Sequence, residues 1–138
     1  MTTSHLPTGS LSLDISLRGG WRRGGIVDVQ GPELSGKTTL AQHACDGLEP
    51  GEDALWVSMG TGIPLRNTNA AIAEPRTAEE AFTLMVEALH IGDALVVLDS
   101  AGGLVRYQEL IDPDYAPDPH REFKFELSRV LEACRKTN

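Results

Sequence analysis

An α/β domain built on a mainly parallel sheet is the fold class this sequence predicts, and three observations predict it. Short apolar, β-branched runs at residues 26–29, 54–57 and 94–98 read as strands. The runs at 54–57 and 94–98 are apolar throughout, and that at 26–29 is apolar except for Asp28, as strands covered on both faces are. Stretches with helical periodicity separate them, so strand and helix alternate along the chain. With 138 residues, 41% hydrophobic and 23% charged, the chain is expected to form one domain around one core.

The elements follow in order. Residues 1–9 are polar and carry neither a basic stretch nor an apolar core, so no secretory signal is expected. Residues 10–17 read as a short amphipathic turn or helix with Leu11, Leu13, Ile15 and Leu17 as apolar members, ended by Gly19 and Gly20. Trp21, Arg22 and Arg23 fall in a Gly-flanked surface turn, with a phosphate contact as the alternative. The run at 26–29 lies between Gly24-Gly25 and Gly31-Pro32 and reads as a buried strand. A helix is expected from about Lys37 to Gly47, with Leu40, Ala41, Ala44 and Leu48 on one face. After the turn at Pro50-Gly51 comes the strand at 54–57, then an irregular stretch over 58–76.

The best-marked helix follows. Thr77 is its N-cap, Glu80 three residues on completes a capping box, and Gly92 stops it. Ala78, Ala81, Phe82, Met85 and Leu89 form its apolar stripe. Residues 94–98 are five apolar residues ending in Asp99. Residues 107–119 hold Pro113, Pro117 and Pro119 and read as an acidic loop. A last helix is expected from about Arg121 to Lys136, with Phe123, Leu127, Val130, Leu131 and Cys134 on one face and Phe125 opposite.

Charge and composition exclude several function classes. The net charge is −8, with the deficit concentrated in residues 38–120, where 3 basic side chains face 14 acidic ones. An acidic chain is a poor non-specific binder of nucleic acid, so an anion site must be local. No apolar run approaches the ~20 residues that cross a bilayer. Cys45 and Cys134 are too few for a disulfide framework and read as packed thiols, so the cytoplasm is the expected compartment. His5, His43, His90 and His120 are scattered without ligand spacing, which argues against a zinc site.

One motif carries chemistry. Gly31, Pro32, Glu33, Leu34, Ser35, Gly36, Lys37 and Thr38 match G-x-x-x-x-G-K-[ST] at every fixed position, between an expected strand and an expected helix. Backbone N–H groups of such a loop curl around phosphate oxygens, and the helix N-terminus adds its positive end. Lys37 supplies a point charge to the β- and γ-phosphates, and the Thr38 hydroxyl suits Mg²⁺. Asp99, closing an apolar strand, is the expected second half of the site and the second metal-side residue. ATP and Mg²⁺ are the ligands this pattern predicts.

These residues resemble one family, the bacterial RecA recombinases. Residues 8–15, Gly19-Gly20, residues 25–29 and residues 31–40 resemble the start of its ATPase core almost residue for residue. Glu74-Pro75 with Glu79, Glu80 and Ala81 resembles the helix before its second acidic motif, and residues 96–100 resemble that motif. Residues 129–138 resemble the end of the following helix. The resemblance implies a three-layer P-loop NTPase fold of the RecA type. It also implies ATP-dependent binding of single-stranded DNA, strand exchange, and DNA recombination and repair. Residues 31–39, Thr39 included, would hold phosphates, and Asp99 the metal.

The sequence also departs from the family. The family's catalytic glutamate follows the second strand, but no acid occurs here between Asp53 and Glu74, so turnover is expected to be very slow or absent. The adenine-stacking aromatic is missing, with Asn67 near its place. The family's next strand, between the phosphate-loop strand and the Asp99 strand, is expected to lie beyond Asn138. A truncated sheet, self-association or a partner completing the sheet are the corresponding expectations. The family's first DNA-binding loop corresponds to residues 109–123, which are rich in Asp and Pro, with His120, Arg121, Lys124 and Arg129 as a small basic edge read as a solvated helix start. The rival reading is a nucleotide-binding regulatory or scaffold module, or a degenerate copy, that neither hydrolyses ATP nor binds DNA. A small kinase is the weakest reading, since residues 101–120 offer only Arg106 for a lid.

Overall fold

Three parallel strands with helices on both faces carry the molecule. The structure is a computed structural model that describes residues 4–60, 70–104, 112, 114 and 119–136, the side chains at 119–122 excepted. Strand order is β4 (Ala70–Ala73), β3 (Ala54–Ser58), β5 (Leu95–Asp99), all parallel. The register pairs Ala54 with Ala70 and Leu95, and Ser58 with Asp99.

Strand alternation sorts the side chains onto two faces. Ala54 and Trp56, with Ala70, Leu95 and Val97, pack against Cys45, Ala41 and Leu48 of α2 (Lys37–Asp46) and the turn after it. Val57 and Met59, with Leu55, Val96 and Leu98, pack against α3 (Ala78–Ile91) and α4 (Pro119–Lys136). This is the three-layer arrangement the sequence predicts, with Trp56 and Phe82 the largest fully buried side chains. Phe82 meets Phe123 of α4 edge-on, ring centroids 6.1 Å apart.

The capping box at α3 is formed on its first half. Thr77 Oγ1 accepts from the Glu80 N–H at 3.2 Å, while Glu80 Oε2 accepts from the Arg76 N–H at 2.9 Å instead of from Thr77. Gly92 closes the helix in the left-handed conformation, φ 104°. On α4, Val130 and Ala133 are the buried members, with Phe123, Leu127 and Cys134 packed beside them. Ala133, not among the residues expected on that face, is buried, while Leu131 is only half-buried. Phe125 is 65% exposed on the far side, as its spacing predicts.

The sequence reading needs four corrections. Residues 26–29 do not form a strand: Ile26, Val27 and Val29 are half-exposed, and among the described residues no strand lies beside them to complete a ladder. The expected irregular stretch contains β4. The N-terminal segment holds a small antiparallel ribbon, β1 (His5–Leu6) with β2 (Trp21–Arg22), where only a turn is expected. Helix α1 (Leu11–Ser16) forms as predicted, but its apolar stripe is not buried, and Leu11 and Ile15 face solvent. The acidic loop at 107–119 and Asn67 lie outside the described residues, except for Asp112, Asp114 and the start of α4.

Candidate functional site

The site lies at the C-terminal ends of β3 and β5, on the α2 face. Residues 31–36 form an exposed loop that enters α2 at Lys37. Gly36, the residue before the helix, is left-handed at φ 89°, a conformation glycine adopts without a Cβ penalty. No side chain caps α2, so the first-turn N–H groups stay open to a ligand. Gly31 is needed for a different reason. A Cβ there would stand 2.9 Å from Ser35 Oγ, because the loop closes back on its own start.

Lys37 holds that closure. Its Nζ donates to the Gly31 carbonyl at 2.8 Å and to the Pro32 carbonyl at 2.6 Å. The ammonium is thereby threaded across the mouth of the loop, where a phosphate bound by the loop N–H groups would meet it. At the apex, Leu34 is left-handed at φ 60° and fully exposed. A leucine in that region is strained.

The two halves of the predicted site meet. Thr38 Oγ1 donates to Asp99 Oδ2 at 2.9 Å, joining residues 61 positions apart. A hydroxyl and a carboxylate brought together in this way form a hard-oxygen pair of the kind Mg²⁺ takes, which leaves its remaining positions to phosphate and water. The residues therefore fit the metal: Thr38 and Asp99 would hold it, and the charge it supplies would offset that of the phosphates. Gly31, Pro32, Gly36, Lys37, Thr38 and Asp99 are thus gathered at one place. Glu33, Leu34 and Thr39 are exposed at the rim.

Two further elements border the site. Ser58 ends β3 opposite Asp99, and the Met59 N–H donates to the Asp99 carbonyl at 2.8 Å. The turn after β5, Ala101–Gly103, presses on that junction: a Cβ on Gly103 would overlap the Met59 carbonyl oxygen. Gly60 follows at φ 76° with open space around it, so no carboxylate extends from the end of β3.

With this geometry in place, comparison with known proteins gives a consistent result. The RecA N-terminal domain family matches residues 1–120. The chain belongs to the RecA family. Protein RecA of Rippkaea orientalis is 32% identical over 120 residues, covering 80% of this chain and 34% of that protein. Protein RecA of Geobacter sulfurreducens is 35% identical over 116 residues, covering 76% of this chain and 34% of that protein. The chain thus spans about a third of the length of the curated RecA relatives it matches. Among solved structures, the RadB recombinase superposes with a TM-score of 0.71 at 27% identity, covering 96% of this chain and 66% of that one. The RecA-type fold predicted from the sequence is the fold observed. Among the described residues no helix is long and apolar enough to cross a membrane.

Sequence reasoning found the loop and Asp99 because both are marked locally. It did not single out Ser58 as a neighbour of the site. Its only signal is register, which a sequence does not display.

Proposed function

We propose that this chain is a RecA-type ATP-binding domain that acts in DNA recombination and repair. The observation that carries the reading is the 2.9 Å hydrogen bond from Thr38 to Asp99, which unites the phosphate loop with the metal-side acid. Residues 31–39 bind the phosphates, Lys37 compensates their charge, and Thr38 with Asp99 hold Mg²⁺. Turnover is slow, since no acid lies at the end of β3 and none occurs between Asp53 and Glu74. Single-stranded DNA, further copies of the chain and a cytoplasmic location follow from family membership. The rival reading, a nucleotide-binding module without DNA, draws on the acidic middle of the chain and the missing acid after β3, whereas family membership favours the recombinase reading.

Calorimetric titration with ATP–Mg²⁺ tests the site. Lys37→Ala removes a charge-assisted contact of about 1.5–3 kcal/mol, a loss of about ten- to hundredfold in affinity. Equal affinity of the two proteins would refute the assignment. A parallel titration with a fluorescent single strand, with and without ATP–Mg²⁺, tests the DNA part; binding is expected only with nucleotide.

A further inference from the structure

Among the described residues the exposed Glu74 carboxylate, just after β4, makes no hydrogen bond or ion pair and has no role so far. We propose that Glu74 is the general base for the water that attacks ATP, a reading that rests on the phosphate-site assignment above. Three observations place it there. The ladder pairs Ala54 with Ala70 and Val57 with Ala73. One further step along the same register sets Glu74 beside Ser58, which is itself paired with Asp99. Side-chain alternation supplies the face. Ala70 packs into the α2-side cluster, so Ile72 and Glu74 fall on that same side. Pro75 supplies the continuity, because a residue before proline is driven into extended backbone, and the alternation of β4 therefore carries on through Glu74.

Glu74, Ser58 and Asp99 thus stand in a row across the C-terminal edge of three adjacent strands, on the face that holds Thr38 and Lys37. Two strand spacings, about 9–10 Å between Cα atoms, separate Glu74 from Asp99. The intervening side chain on β3 is a serine, and the position two residues on is Gly60, so no acid of β3 competes with the glutamate side chain at this edge. Glu74 is exposed, and among the described residues its carboxylate makes no hydrogen bond or ion pair. It is the first acid after β3 in the chain, carried one strand further from Asp99 than a residue of β3 itself would be.

In the step assigned to it, the water oxygen attacks the γ-phosphorus and the Glu74 carboxylate accepts one water proton. The bond from the γ-phosphorus to the β–γ bridging oxygen breaks, and its electron pair leaves with ADP. Inorganic phosphate is the other product, and Glu74 returns its proton to solvent.

The test compares wild type with Glu74→Gln, Glu74→Asp and a control, Glu87→Gln, an exposed acid on α3 across the sheet. Three readouts are taken: single-turnover hydrolysis of ATP–Mg²⁺, and calorimetric affinities for a non-hydrolysable ATP analogue and for ADP with aluminium fluoride, which mimics the transferring phosphoryl group. A well-placed general base contributes about a hundredfold or more; across this longer reach Glu74→Gln is expected to lower turnover at least ~tenfold. It should weaken the aluminium fluoride complex by a similar factor and leave the ATP-analogue affinity unchanged. Glu74→Asp should fall between, and Glu87→Gln should match wild type. Unchanged turnover and aluminium fluoride affinity in Glu74→Gln overturns the assignment, as does a wild type that binds ATP without any turnover. Failure of wild type to bind ATP at all refutes the phosphate-site reading itself, a distinct result.

Discussion

Gly103 shows how single residues hold the site in place. Its own backbone is not left-handed, so the requirement for glycine is spatial: a Cβ would run into the backbone of Met59, not into a movable side chain. Met59 is 7% exposed, and its N–H is bonded to the Asp99 carbonyl, so it has little room to retreat. Gly103→Ala is therefore expected to cost about 1–3 kcal/mol, the usual range for overpacking. Chemical denaturation measures the cost, and an unchanged midpoint would show that the turn after β5 yields freely. The same scale separates what a sequence displays from what it hides. Lys37, Thr38 and Gly36 were legible because the loop chemistry fixes their spacing within eight consecutive positions. Asp99 was legible because an apolar strand ends on it. Glu74 was visible as an acid, but not its place in the row with Ser58 and Asp99, since that relation needs the register of two strand pairs.

Elements were legible in proportion to the contacts that make them. The Thr77 cap and the stripe of α3 are local signals backed by burial, and both appear in the structure. The β4 run, Ala-Ala-Ile-Ala, has weak strand propensity and no alternation, and only pairing with β3 makes it a strand. The run at 26–29 has the opposite history: strong β propensity, but no strand beside it among the described residues. A side-chain tie fixes the stretch that leads into that run. Arg23 Nη2 contacts both carboxylate oxygens of Glu52, at 3.0 and 2.8 Å, and Glu52 also accepts from the Glu49 N–H at 3.0 Å. Both side chains are largely buried. Burial works against the Glu52 charge, but the hydrogen bonds from Arg23 and from Glu49 outweigh it and hold the carboxyl below its ordinary value of 4.5. A carboxyl lowered by folding stabilises the fold above its ordinary value and loses that contribution as pH falls through the lowered one. Glu52→Gln should therefore be less stable than wild type near neutral pH by about 1–3 kcal/mol. The gap should close on acidification below the ordinary carboxylate range. Thermal unfolding of both proteins across that range measures it, and a pH-independent gap would mean that packing, not charge, holds the tie.

At the scale of the whole molecule, the site and a half-covered part of the fold are one region. The run at 26–29 leads directly into the phosphate loop, and its apolar side chains are 41–48% exposed. Strand β5 pairs with β3 along one edge, and no strand pairs with its other edge among the described residues. The loop continues into α2, which is joined to the sheet by packing of Ala41 and Cys45 and, at its first turn, by the Thr38–Asp99 hydrogen bond. Folding free energies of intact domains are only about 5–15 kcal/mol, so an uncovered edge and three half-exposed aliphatic side chains are a substantial deficit. A nucleotide bound across the loop and Asp99 would bridge the two pieces and stabilise the native state by mass action, about 2.7 kcal/mol at a hundredfold excess over its dissociation constant. The expected outcome is a thermal transition that rises with ATP–Mg²⁺ in wild type and stays fixed in Lys37→Ala. Sedimentation should show concentration-dependent association of both proteins, because unpaired strand edges invite pairing between copies. A monomer with a sharp, high transition that ignores nucleotide would mean that the region around 26–29 closes on β5 without help, and the link between site occupancy and stability would then be wrong.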